Sequence, residues 1–145
     1  MSKPKGNTML KPLKVFVALT PQNPEDDEPL ALHFVNETDE AMHASFRQQG
    51  YLDLNDGPWS PGRKPHIVDL GLVSAKSTVL VADGYHYASD FYLSMTFTLR
   101  TERETREEYI RVWLDRDGAD PKELAIIGKL GRSFGPEPRE SRVLR

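Results

Sequence analysis

Residues 91–99, FYLSMTFTL, alternate Phe91, Leu93, Met95, Phe97 and Leu99 with Tyr92, Ser94, Thr96 and Thr98. A period of two sends the two sets to opposite sides of an extended chain. The segment therefore reads as a strand with one buried and one polar face. Residues 109–115 repeat the pattern, with Ile110, Val112 and Leu114 set against Tyr109, Arg111 and Trp113. The two runs read as arms of one long hairpin. Its tip is RTERETREE, whose four Glu and three Arg form a solvated turn that guards against edge-to-edge aggregation.

Six further segments carry the same signature more weakly. Leu13, Val15, Val17 and Leu19 share one side of residues 13–20. The connector TPQNPEDDEP, with three prolines and four consecutive acids, fits only a loop. Residues 30–36 bring Leu30, Leu32 and Phe34 to one side, and residues 41–48 do the same with Met42, Ala44 and Phe46. These two read as a hairpin pairing residues whose numbers sum to 76, so that both inward sets coincide. A helix over 39–49 competes, because Glu40, Ala41, Met42, Ala44 and Gln48 are helix formers. Tyr51, Leu52 and Leu54 suit a brief strand before the loop DGPWSPGRKP. Residues 66–73 and 77–82 are apolar and strand-like, and Asp83-Gly84 is a turn signal.

Near the C-terminus, Asp120-Pro121-Lys122-Glu123 has the spacing of a capped helix start, yet Gly128 follows a short apolar run. One helical turn and a last strand through Leu130 both remain open. RSFGPEPRESRVLR has no period and reads as a tail. The expected fold is an antiparallel β-sandwich of about eight strands, immunoglobulin-like or jelly-roll-like, with at most one or two short helices. One domain is expected over residues 13–131, between a flexible basic N-terminus at 1–12 and a flexible basic tail at 132–145.

Composition narrows the function classes. The 145 residues contain no Cys, which excludes disulfides, thiolate metal sites and a cysteine nucleophile. No apolar run approaches the roughly 18 residues of a membrane span, and residues 1–14 lack a signal-peptide core. A soluble cytoplasmic protein with no membrane partner is expected. The net charge of −3 conceals +4 in residues 1–24, +3 in residues 129–145 and −10 in between. An acidic body of this kind repels a phosphate backbone over most of its surface.

Motifs that bring their own chemistry are missing. Neither G-x-G-x-x-G nor G-x-x-x-x-G-K-[ST] occurs, and there is no G-x-S-x-G or S-x-x-K. Asp53, Asp56, Asp69, Asp83 and Asp90 supply carboxylates, but nothing in their spacing separates a catalytic pair from turn formers. No catalytic residue and no cofactor is expected. In the hairpin register above, His33 and His43 stand opposite each other at about 5 Å, within reach of a shared metal. Zinc would need a third ligand such as Glu37 or Asp39. Two half-exposed histidines without a metal are the simpler reading. Trp59, Tyr85, His86 and Tyr87 lie on loops where rings can stack on sugars or bases. In the ordinary case such rings plug the core. Trp113, within a strand, is structural.

One resemblance adds to this. Leu19, Thr20, Pro21 and Pro24, followed by Phe34, Val35, Asn36, Glu37 and Thr38, resemble the opening of an all-β domain found beside Smr domains in MutS2-like proteins of Bacteroidetes. Gly71-Leu72-Val73-Ser74-Ala75-Lys76-Ser77 is similar to that family's "G-x-I-x-P-x-T", with Ala75 where the pattern has proline. Leu124-Ala125-Ile126-Ile127 is similar to its late apolar run. The resemblance covers residues 13–131 and includes no Smr domain. It implies a β-sandwich module with no assigned catalytic residues. Taken together, the expectation is a non-enzymatic binding or assembly module, acting on a protein partner or as a homo-oligomer through a sheet edge or face. Glycan or nucleic-acid-end recognition through the loop aromatics is the alternative, and a hydrolase without a recognisable motif is a second.

Overall fold

The computed structural model describes residues 11–23, 25–52, 66–88, 91–115 and 121–144. The described residues form ten strands: β1 (Val15–Pro21), β2 (Leu30–Asn36), β3 (Met42–Leu52), β4 (His66–Val73), β5 (Ser77–Tyr85), β6 (Phe91–Arg100), β7 (Thr105–Trp113), β8 (Lys122–Leu124), β9 (Lys129–Phe134) and β10 (Arg142–Leu144). They form two antiparallel five-stranded sheets, in the orders β5-β2-β1-β9-β8 and β10-β7-β6-β3-β4. A short 3-10 turn at Pro138–Glu140 is the one helical element among the described residues. The all-β sandwich expected from the period-two pattern is what the chain forms. No helix among the described residues is long and apolar enough to cross a membrane.

The core lies between the sheets. Phe97 of β6 sits 5.0 Å from Phe34 of β2 and 5.1 Å from Phe46 of β3, centroid to centroid. Leu32, Met42, Met95, Leu99, Ile110 and Val112 fill the space around them. β6 and β7 are the expected hairpin, with Tyr92 opposite Trp113 and Arg100 opposite Thr105. The turn is tighter than expected. It takes only residues 101–104, closed by the Thr101 N–H donating to the Glu104 carbonyl at 2.9 Å. Arg100 ends β6 and residues 105–108 of the supposed solvated tip begin β7, so the parity of Ile110 and Val112 carries Glu108 and Arg106 inward as well.

The expected hairpin between residues 30–36 and 41–48 does not form. β2 pairs with β1 and β5, whereas β3 pairs with β4 and β6 in the other sheet. Both segments are strands and both inward sets are buried, but those sets meet across the sandwich. The crossover is organised by the buried side chain of Asn36. Its Nδ2 donates to the carbonyls of Glu40 and Ser74 at 3.0 Å each, and its Oδ1 accepts from the Thr38 N–H at 3.0 Å. One amide thus ties together both chain reversals at that end of the molecule.

Asp83-Gly84 does not end a strand either. β5 continues to Tyr85 with Gly84 at φ +80°, and the chain then passes to β6 in the opposite sheet.

The C-terminal residues are also integral, which corrects the domain boundary expected at 131. β8 and β9 form a hairpin around residues 125–128, so the strand reading prevails over the helical turn. Gly128 takes φ +78°, and its N–H reaches the Leu124 carbonyl at 2.7 Å. β9 pairs with β1, and β10 then pairs with β7 in the second sheet. The segment expected as a free tail therefore straps one sheet to the other. Its attachment rests on backbone pairing, single polar contacts and the one ring of Phe134 packed against the core, which leave no period in the sequence. Of the expected flexible N-terminus, residues 1–10 lie outside the described residues.

Leu124, Ile126 and Ile127, from the β8–β9 hairpin, pack with Phe16, Ala18 and Val35 on the outer side of the first sheet. This contact requires Gly131. A Cβ there would stand 2.6 Å from the Leu19 carbonyl oxygen and 2.9 Å from Leu124 Cδ1. Gly131→Ala is expected to cost about 1–3 kcal/mol of unfolding free energy in urea melts. Gly135→Ala meets nothing within 4 Å and should stay within about 0.5 kcal/mol of the native protein.

Candidate functional site

Because both sheets bury one face in the shared core, any recognition surface on the strands must use an outer face, an edge or an end. On the outer face of the first sheet the β8–β9 hairpin covers Phe16, Ala18 and Val35, while Leu80 of β5, opposite His33, stays exposed. On the second sheet, alternation directs a different set of side chains outward. Arg47, Thr96 and Tyr109 form one cross-strand row, and Ser45, Thr98, Glu107 and Arg142 form the next. Tyr92 and Trp113 pair at 4.7 Å with a 45° tilt. The Arg111 guanidinium lies 4.9 Å from the Tyr92 ring centre and 5.7 Å from that of Tyr109, with Glu137 at 3.4 Å. Burial works against the Arg111 charge, but Glu137, Tyr109 and Tyr92 outweigh it and raise the pKa.

The same face carries aliphatic residues at its margin. On the edge strand β4, Ile67 is 69% exposed and Leu72 is 72% exposed. They lie opposite Arg47 and His43 of β3. Between them β4 is irregular. Gly71, at φ +75°, donates its N–H to the Asp69 carboxylate at 2.8 Å where the register with β3 shifts. A bulge and an acid on an edge strand hinder continuous pairing with a further strand, so the face is the better candidate.

Between β3, β6, β7, β10 and the 3-10 turn lies an open groove of about 330 Å³, with Arg47, Thr96, Tyr109, Arg139 and Arg142 among its lining. Arg142 is held by the Glu107 carboxylate through Nε at 3.0 Å and through Nη2, and that contact raises its pKa. Arg47 and Arg139 have no ion-pair partner among the described residues. A larger cleft of 390 Å³ opens at the end of the sandwich near Leu13, Met42, Leu99, Arg103 and Arg106. Its rim is bridged by Arg103 and Glu40 at 2.6 Å.

At the base of that cleft, Arg106 and Glu108 form an ion pair at 2.9 Å, with relative exposures of 6% and 0%. Arg106 also donates to the Lys11 carbonyl at 3.0 Å, and the Ser141 hydroxyl donates to Glu108. Sequence reasoning missed this pair by assigning it to a solvated tip. The parity of β7, continued four positions back from Ile110 through Glu108 to Arg106, was the signal that could have found it.

The residues singled out from sequence are not brought together. His33 lies on the outer face of the first sheet and His43 on that of the second, so they share no site. The geometry that paired them depended on the hairpin that does not form. His33 Nε2 lies 3.1 Å from Thr20 Oγ1, and His43 Nε2 lies 3.1 Å from Asp69. Tyr85 and Tyr87 pack against the core at one end of the sandwich. Tyr85 accepts a hydrogen bond from Gln48 at 3.2 Å, and Arg132 covers Tyr87 at 5.4 Å. His86 is exposed, 3.7 Å from Glu28. Trp59 lies outside the described residues. Trp113 belongs to the outer aromatic pair. The chain matches no family model, no curated protein and no solved structure.

Two outcomes follow for stability. Removing one member of the buried pair, as in Glu108→Ala, should cost about 3–5 kcal/mol, while Arg106→Met combined with Glu108→Met should recover most of it in denaturant melts. Burial, with the charge of Lys129 behind it, lowers the pKa of His33. The unfolded chain therefore binds this proton more readily than the folded one, and stability falls as pH drops below about 6.5. A His33→Gln variant should lose less melting temperature than the native protein between about pH 7 and pH 5.

Proposed function

We propose that this protein is a non-catalytic protein-binding module that receives its partner on the outer face of the second sheet. The observation that carries this reading is the asymmetry between the two outer faces. One has its centre, over Ala18 and Val35, covered by the chain's own hairpin and keeps Leu80 as an exposed aliphatic on β5. The other combines Tyr92, Tyr109, Trp113, Arg47 and Arg111 with the exposed Ile67 and Leu72. Tyr, Trp and Arg are the residue types that dominate binding energy at protein interfaces, and exposed aliphatics supply apolar contact. The likeness of residues 13–131 to an Smr-associated β-sandwich without assigned catalytic residues points the same way. Recognition of a glycan or a nucleic-acid end by Tyr85 and Tyr87 has less support, since both rings pack against the core.

The test uses a photo-crosslinking amino acid in the full chain, expressed in the cells it comes from. Placed at Thr96, it should yield a discrete covalent adduct with a protein; placed at Glu123, outside this face, it should not. Tyr109→Ala should reduce the Thr96 adduct about tenfold or more, the size of a hot-spot loss. No adduct at Thr96 above that at Glu123 would overturn the reading.

A further inference from the structure

Resting on that reading of the face, we propose that the occupant of its arginine groove is a second copy of this chain, which inserts the acidic connector between its own β1 and β2. The groove draws guanidinium groups from three elements: Arg47 from β3, Arg139 from the 3-10 turn and Arg142 from β10. Glu107 neutralises Arg142, which leaves Arg47 and Arg139 without an ion-pair partner among the described residues. Thr96 and Tyr109 add hydroxyls between them, in register with Arg47. Two unmatched guanidinium groups with hydroxyl donors beside them suit carboxylates, which accept charge-assisted hydrogen bonds from such a set. Glu140 also lines the groove, so the positive surplus is modest and an occupant must bring several acids to gain from it.

The connector supplies them. Residues 25–28 are four consecutive acids, of which Glu25, Asp26 and Asp27 are exposed. Backbone hydrogen bonds hold the described residues of this loop. The Gln22 N–H donates to the Pro29 carbonyl at 2.9 Å, and the Asp26 N–H to the Asn23 carbonyl at 3.0 Å. The fourth acid, Glu28, accepts from the Tyr87 N–H at 2.6 Å. A loop held in this way loses little conformational freedom on binding. Connector and groove belong to different sheets and different surfaces of one copy. The contact is either made once per pair, extending a ring or chain, or made reciprocally about a two-fold axis, and both arrangements use the same charges.

Sedimentation velocity on the full chain tests this. At about 0.02 M salt the average mass should rise with protein concentration, and about 0.5 M salt should weaken the association about tenfold or more. Arg47→Glu with Arg139→Glu should leave a monomer of unchanged melting temperature. So should Glu25→Lys with Asp26→Lys. Mixing the two variants should restore association, because each then presents the charge the other lacks. A native chain that stays monomeric at low salt, or association that both charge reversals leave untouched, would overturn the proposal. A monomeric chain that still crosslinks a different protein from Thr96 would remove the self-association while leaving the binding face standing.

Discussion

Phe97 meets Phe34 from the facing sheet and Phe46 from the neighbouring strand, and the rest of the molecule is arranged to keep that contact dry. Each sheet supplies one apolar face, and neither could remain in water alone. Burying an aromatic or aliphatic side chain of this kind contributes roughly 1.5–3 kcal/mol. The alternating residues of β1, β2, β3, β6 and β7 repeat this many times over. With the inner faces committed, function is left to the outer faces, the edges and the ends.

The perimeter of the core is held mainly by polar groups. Asn36 joins two chain reversals at one end. Arg132 covers Tyr87 and donates to the Asp115 carbonyl at 2.5 Å at the other. Arg106 and Glu108 lie along β7, tied to the residues that precede β1 and to the strap that leads into β10. The contacts of Asn36 with Ser74, Arg132 with Asp115, Arg106 with Lys11 and Glu108 with Ser141 join segments far apart in the chain. A buried ion pair gains little net energy over an apolar pair of the same shape, but it penalises any arrangement that leaves one charge alone. Here it favours the strapped arrangement of the C-terminal residues over a loose one.

The candidate face was legible only in part. The polar sides of β6 and β7 follow directly from alternation, so Tyr92, Thr96, Tyr109, Arg111 and Trp113 could be placed on one outer surface from the start. Arg47 joins them because β3 pairs with β6, and Arg139 and Arg142 because the C-terminal residues return to β7. Neither pairing leaves a mark in local sequence. The loop aromatics drew attention as large rings in irregular segments, yet Tyr85 and Tyr87 plug the end of the sandwich, the commoner fate of such residues.

From sequence alone came strands β1 to β7, the buried sides of β1, β2, β3, β6 and β7, the two-layered all-β class and the lack of cysteine chemistry. These depend on alternation and composition, which act over a few residues at a time. Tertiary structure decided which strand lies beside which, and so separated His33 from His43, drew Arg106 and Glu108 inside, and turned an apparent tail into two strands. The physical reason is that a period of two states which side of a strand avoids water and is silent about its neighbour. That choice is made by distant contacts such as those of Asn36 and Glu108, each of which depends on parts of the chain remote in sequence.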